Sequence, residues 1–288
     1  MDYIIHLAIL LSIYSILALS LNLIVGYSGL FSITHVAFYG IGAYATAILS
    51  AHHGMNFFLT VIIGVAVTFI VSLLLGIVLS RFSDDYFAIV SIGFAVISYA
   101  FYLNFPGLTE GAMGIPGVAK PSFFGFVFSS NIRMLMLIMC VLVCVYFLCR
   151  FVVRSSFGRA LKAVRENEKT LQVYGYNTTL YKLAVFSIGA MMTSVAGSMF
   201  GTYMTFVGPS MFMLRESIFV LVIIIMGGLG TLSGSILGTL FLILLPEALR
   251  FLGLPDTVAA QVQQIIYGTI LILLMIYRPQ GFVGAYRM

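Results

Sequence analysis

The sequence predicts an all-α, polytopic integral membrane protein of about eight to ten transmembrane helices, with a broken or re-entrant second helix. Of the 288 residues, 61% are hydrophobic and only 8% charged, and the mean hydropathy is +1.14. A soluble domain carries roughly 25% charged residues, so lipid must be the solvent for most of this chain. The apolar residues also fall in runs matched to a bilayer core of about 30 Å, which takes about 20 residues of helix to cross. Finally, the basic residues gather between these runs, as they do where loops set membrane orientation.

The spans are expected near 4–25, 33–50, 57–80, 86–104, 132–153, 182–203, 216–231, 233–252 and 261–277. No polar stretch is long enough for a separate soluble domain, so one transmembrane domain over 1–288 is expected. Met1-Asp2-Tyr3 has no basic n-region and its apolar run continues into a full span, so no secretory signal is expected. The second span follows Gly26-Tyr27-Ser28-Gly29, and Gly227-Gly228-Leu229-Gly230 makes a similar break between the seventh and eighth. Irregular backbone at membrane depth survives only where protein or an aqueous cavity covers it.

Seven of the 14 Lys and Arg residues lie in one stretch: Arg150, Arg154, Arg159, Lys162, Arg165, Lys169 and Lys182. This loop is therefore expected on the cytoplasmic side. Alternation puts Arg81, Asp84 and Asp85 on that side, with the Arg278-Pro279-Gln280-Gly281 tail. The 105–131 and 204–215 loops then face out, as does the N-terminus if there are nine spans. The net charge of +5 reads as topology, and no nucleic-acid partner is expected. Cys140, Cys144 and Cys149 share one hydrophobic stretch; the first two, at i and i+4, suit packing better than a disulfide or metal site.

The basic loop carries the most informative segment, Ser155 to Glu168. Ser156 is a candidate N-cap. Arg159, Lys162, Arg165 and Glu166 lie on or near one helical face, and Phe157, Leu161 and Val164 on another. Such a helix either lies on an anionic leaflet or docks in a groove of a cytoplasmic partner; spacing leaves both open. Two small-residue stripes also stand out, Gly230/Gly234/Gly238 and Gly197/Gly201. They let helices approach closely in lipid, within the subunit or at an interface between subunits.

Polar residues inside the spans are candidates for a transport path. Asn22 sits in an apolar run and needs hydrogen-bond partners, and His35 follows the glycine break. A lone histidine is either a satisfied structural group or a ligand. Glu216 and Glu247 fall near predicted span ends, beside Arg215 and Arg250, and read as interfacial anchors. The sequence has no Gly-x-x-x-x-Gly-Lys-[Ser/Thr] phosphate loop, no metal-ligand cluster and no nucleophile elbow. Neither a cofactor nor a metal is expected, and the chain is read as a transport subunit without its own ATPase site.

The string Gly158-Arg159-Ala160-Leu161-Lys162-Ala163-Val164-Arg165-Glu166-Asn167 resembles the coupling-loop signature of the LivM/LivH-type ABC permease family. Other blocks resemble the LivM branch. They are Leu21 to Leu30, His35 to Tyr44, Asp85 to Val90, Gly111 to Gly117, Met226 to Thr231, Leu245-Pro246-Glu247 and Arg278 to Gly281. The resemblance implies a cytoplasmic coupling loop, about 154–180, in which Phe157 through Ala163, with Arg165, Glu166 and Asn167, contact an ATPase. It implies an inner-membrane importer of leucine, isoleucine or valine, with urea, short amides or other hydrophobic amino acids as alternatives. The implied partners are a second, paralogous permease, two cytoplasmic ATPases and an extracytoplasmic binding protein, in contact with membrane lipid. Asn22, Tyr27, His35 and Tyr39 are the candidate path residues; Gly26, Gly29, Gly227, Gly228, Gly230, Gly234 and Gly238 are the breaks and packing positions. An ion-coupled secondary transporter is the competing class, and it should show intramembrane ion-coupling charges.

Overall fold

The computed structural model describes residues 2–80, 82, 84–123, 126–128, 130–250, 256–277 and 280–283. Eleven helices follow in order: α1 (Asp2–Leu21), α2 (His35–Ala51), α3 (Phe57–Leu79), α4 (Asp84–Asn104), α5 (Pro106–Thr109), α6 (Asn131–Arg154), α7 (Ser156–Val173), α8 (Thr178–Met204), α9 (Leu214–Gly227), α10 (Leu232–Arg250) and α11 (Asp256–Tyr277). Each predicted span overlaps one of these helices. Among the described residues, six helical segments are long and apolar enough to cross a membrane, while α2 and Leu232–Ala248 are apolar but shorter. Helix is the expected state, because only intrasegment hydrogen bonds satisfy a backbone in lipid.

The predicted break falls just ahead of the second helix. α1 widens into a π-helical segment, Asn22–Tyr27, residues 29–33 have no regular structure, and α2 itself is unbroken. At Gly29 φ is +77° and a Cβ would meet the Arg165 side chain, so glycine is required both by conformation and by space.

The centre of the bundle is α1, α2 and α8. A Cβ on Gly42 would collide with the Ser194 carbonyl, and one on Gly197 with the Tyr39 carbonyl. The two helices thus meet backbone to backbone, the contact that small residues permit in lipid. α3 buries Thr60, Gly64, Thr68, Ser72 and Gly76, a stripe of small residues, and turns Ile62, Ile70 and Leu74 outward. The Gly230/Gly234/Gly238 stripe also packs within the subunit: Gly234 sits against Gly227, and Gly238 against the Ile223 carbonyl. α9 and α10 therefore form a tight hairpin.

The two ends of the bundle are distinct. At one, strand β1 (Ile115–Pro116) pairs antiparallel with β4 (Phe206–Val207), tying together the two loops predicted to share a side. The small hairpin of β2 (Ser122–Phe123) and β3 (Phe126–Val127) lies between β1 and α6. His6, near the start of α1, contacts the Tyr203 hydroxyl at 2.5 Å, which places the N-terminus at this end. At the other end lie α7, the α9–α10 turn and residues 282–283, whose amides bond the Met226 and Gly227 carbonyls. Of the tail predicted on the α7 side, Arg278 and Pro279 lie outside the described residues, as does Arg81.

Candidate functional site

α7 begins one residue earlier than Ser156 suggests as a cap. Ser155 is extended and its Oγ accepts from the Gly158 amide at 3.3 Å, which makes Ser155 the N-cap. Gly158 is needed at the α6–α7 corner, because a Cβ there would strike the Val152 and Val153 carbonyls. Leu161 and Val164 are buried against the bundle, and Phe157 stacks on Tyr181 with centroids 5.4 Å apart. At Asn167 the helical backbone is interrupted, and its Oδ1 accepts from the Thr170 amide at 3.0 Å, capping the remaining turn. Lys182 Nζ lies 2.5 Å from Glu168 Oε2, tying α8 to that turn.

The four charged residues read as one face are divided by the structure. Arg159 and Glu166 are exposed, with half-exposed Ala160 and Ala163 beside them. Lys162 and Arg165 flank the buried stripe and reach back to the bundle: Lys162 lies over the Tyr27 ring, 5.7 Å from its centroid, and Arg165 Nη1 donates to the Gly26 carbonyl. A π-helical segment leaves backbone groups for outside partners, and α7 supplies one.

Asn22 fastens the same segment from the other side. Its Nδ2 donates to the Thr231 carbonyl (2.8 Å) and to Ser235 Oγ (2.6 Å), and its Oδ1 accepts from the Gly230 amide (2.9 Å). Gly26 must be glycine because Asn22 Oδ1 and the Gly230 nitrogen fill the place of a Cβ. Gly228, at φ +119°, makes the reversal of the α9–α10 turn possible. The predicted glycine breaks and Asn22 thus form one assembly, whereas His35 and Tyr39 belong to another.

That second assembly is a narrow cleft, barely water-sized in this conformation, lined by Tyr14, Leu17, His35, Val36, Tyr39, Glu216, Ser217 and Val220. His35 Nε2 lies 3.0 Å from Ser20 Oγ, which contacts Thr193 Oγ1 at 3.0 Å. His35 Nδ1 and the Tyr39 hydroxyl are buried without a hydrogen-bond partner. The Tyr14 hydroxyl donates to Glu216 Oε2 at 3.0 Å. Ser217 Oγ donates to the Ile33 carbonyl (2.8 Å) and accepts from the Val36 amide (2.9 Å), joining the start of α9 to the start of α2.

Tyr14 and Ser217 are polar cleft residues that sequence reading did not single out, and Glu216, read there as an interfacial anchor, joins them. Glu216 does meet Arg215, at 3.7 Å, in the first turn of α9. Tyr14 lies twelve residues into α1, about 18 Å along it at 1.5 Å per residue, near the middle of a core of about 30 Å. α9 has only 14 residues, about 21 Å. A short 3-10 helix, Pro209–Phe212, precedes it, and together they make an apolar segment of 19 residues, Pro209–Gly227. Asn22 and Tyr27 do not line the cleft. A larger groove of ≈ 550 Å³ between α2, α3 and α4 is almost wholly apolar, with Ile63, Val67, Ile97 and Phe101 in its walls.

No group of three or more His, Cys, Asp or Glu among the described residues could hold a metal ion. Interrupted helices beside buried polar groups are the build of a membrane transport protein. The family described as "Branched-chain amino acid transport system / permease component" matches residues 3–275, and the chain belongs to it. The branched-chain amino acid permease protein LivM of Salmonella typhimurium is 32% identical over 97% of this chain and 69% of its own length. LivM of Escherichia coli shows the same identity and coverage, and LivH of Salmonella typhimurium is 27% identical over 95% of this chain and 92% of its own. No solved structure matches the chain.

Proposed function

We propose that the chain is the LivM-like permease subunit of an ATP-binding-cassette importer in the inner membrane. It moves branched-chain or related hydrophobic amino acids into the cytoplasm by alternating access. Two separate ATPases energise it, a LivH-like permease pairs with it, and an extracytoplasmic binding protein delivers the substrate. The observation that supports this reading best is the seating of α7. Its exposed Arg159 and Glu166, with half-exposed Ala163 between them, are free to meet a partner, while Arg165 on its other flank holds the Gly26 carbonyl in the π-helical segment. A partner that moves α7 therefore moves α1, whose other residues wall the cleft. ATP and the loaded binding protein would bias one two-state equilibrium from opposite sides.

The test is reconstitution of the chain with its permease partner, ATPases and binding protein in proteoliposomes. Leucine uptake that requires ATP and loaded binding protein is the expected result. Arg159→Glu should release the ATPases while the permease still inserts. Uptake by this chain alone, driven by an ion gradient, would overturn the reading.

A further inference from the structure

Arg215 is costly where it stands. It lies in the first turn of α9, where a cation opposes the helix dipole, and inside the apolar segment Pro209–Gly227, where a lipid-facing charge is expensive. Its side chain is nevertheless 75% exposed on the subunit's surface. Such a residue must face water or protein, so this face of α9 borders an aqueous path or the second permease. Beside it, Glu216 is turned toward the cleft, oriented by Tyr14. No side chain caps the N-terminus of α9, and helix N-termini at mid-membrane are suited to receive anions. Inside the cleft wait the two buried, unpartnered groups, His35 Nδ1 and the Tyr39 hydroxyl. Ser20 Oγ donates its hydrogen to the Leu17 carbonyl at 2.8 Å. With Ser20 Oγ so engaged, the tautomer that carries its hydrogen on His35 Nε2 leaves Nδ1 as a bare acceptor.

We propose that Arg215 and Glu216 form a mid-membrane site for the two charges of an amino-acid zwitterion, with the substrate carboxylate on Arg215 and the N-terminus of α9, and the ammonium on Glu216 and His35 Nδ1. The Arg215–Glu216 contact, loose at 3.7 Å, satisfies both charges in the empty state and is exchanged for the substrate's own pair. The cleft is too narrow for an amino acid as it stands, so occupancy requires α9 to part from α1 and α2. Tyr14 is a positioning residue, acting through Glu216. This assignment rests on the importer reading above and adds the residues that take the substrate.

The test uses the complete complex in proteoliposomes, with radiolabelled L-leucine as probe. The readout is leucine delivered per ATP hydrolysed. Loss of one charge-assisted hydrogen bond should lower that ratio by about tenfold or more in R215Q and in E216Q. R215K, which keeps the cation, should recover most of it. An unchanged ratio in both variants, while the wild-type complex carries leucine, overturns the site and leaves the importer reading standing. Dissociation of the second permease from R215Q also overturns it, because Arg215 would then be an interface ion-pair partner. A wild-type complex that carries no amino acid overturns both.

Discussion

Replacing Asn22 with alanine removes three hydrogen bonds that join the π-helical segment after α1 to the α9–α10 turn and the start of α10. In membrane proteins interhelical hydrogen bonds average about 0.6 kcal/mol by double-mutant cycle, which sets a floor near 2 kcal/mol for the three together. The groups left behind raise it unequally. The Thr231 carbonyl keeps the Ser235 amide at 3.3 Å, but the buried Gly230 amide loses its Asn22 partner, and an orphaned buried donor costs about 1–3 kcal/mol. N22A should therefore cost about 2–4 kcal/mol, read as a lower melting temperature by circular dichroism in detergent. Paired with S235A in a double-mutant cycle, it should show a coupling of about 0.6 kcal/mol. A melting curve indistinguishable from wild type, or a coupling of zero, would refute the claim that this asparagine staples the first helix to the turn.

Three further outcomes follow from the same contacts. G197L forces a branched side chain into the Tyr39 carbonyl, and overpacking of about 1–3 kcal/mol or more should reduce folded yield, measured by gel filtration of the solubilised protein. R165A should leave ATPase co-purification intact yet lower uptake per ATP, because it cuts the Gly26 contact without touching Arg159 or Glu166; equal uptake per ATP would mean that α7 drives the bundle by another route. Weakening the part-buried pair Lys182–Glu168 with E168Q, which keeps a hydrogen-bonding oxygen for Lys182, should shift stability by about 1 kcal/mol, checked by the same melting assay.

Much of the architecture was legible because lipid imposes so simple a rule on sequence. The spans, the glycine breaks and the shared side of the 105–131 and 204–215 loops all follow from apolar runs and charge placement. What escaped was the setting of Glu216. Reading it with Arg215 as an interfacial anchor left out that its carboxylate accepts from Tyr14 and lines the cleft, because Tyr14 lies 202 residues away and carries no local signal. Face assignment also had limits: Lys162 and Arg165 share an approximate face with Arg159, but the burial of Gly158, Leu161 and Val164 rotates them toward Tyr27 and Gly26. The partners of Asn22, up to 213 residues away in sequence, carry no local signal. Its burial in an apolar run announced that partners must exist, and no more.

The two assemblies divide the labour along α1. Around Gly26 the chain brings four segments into direct contact: Arg165 from α7, Asn22 from α1, Gly230 and Thr231 from the turn, and the tail, whose Val283 carbonyl accepts from Thr231 Oγ1 at 2.6 Å. Every one of these contacts involves a backbone group, so none can slide without breaking a hydrogen bond. The cleft lies further along the same helix, at Leu17 and Tyr14, and its opposite wall is α9, which ends in that same turn. A displacement delivered at Gly26 therefore acts on both walls, through α1 on one side and through Gly230 and α9 on the other. Energetic coupling of this kind is reciprocal. If substrate at Glu216 parts α9 from α1, it must also change how firmly Arg165 holds Gly26, and with it the position α7 offers to an ATPase.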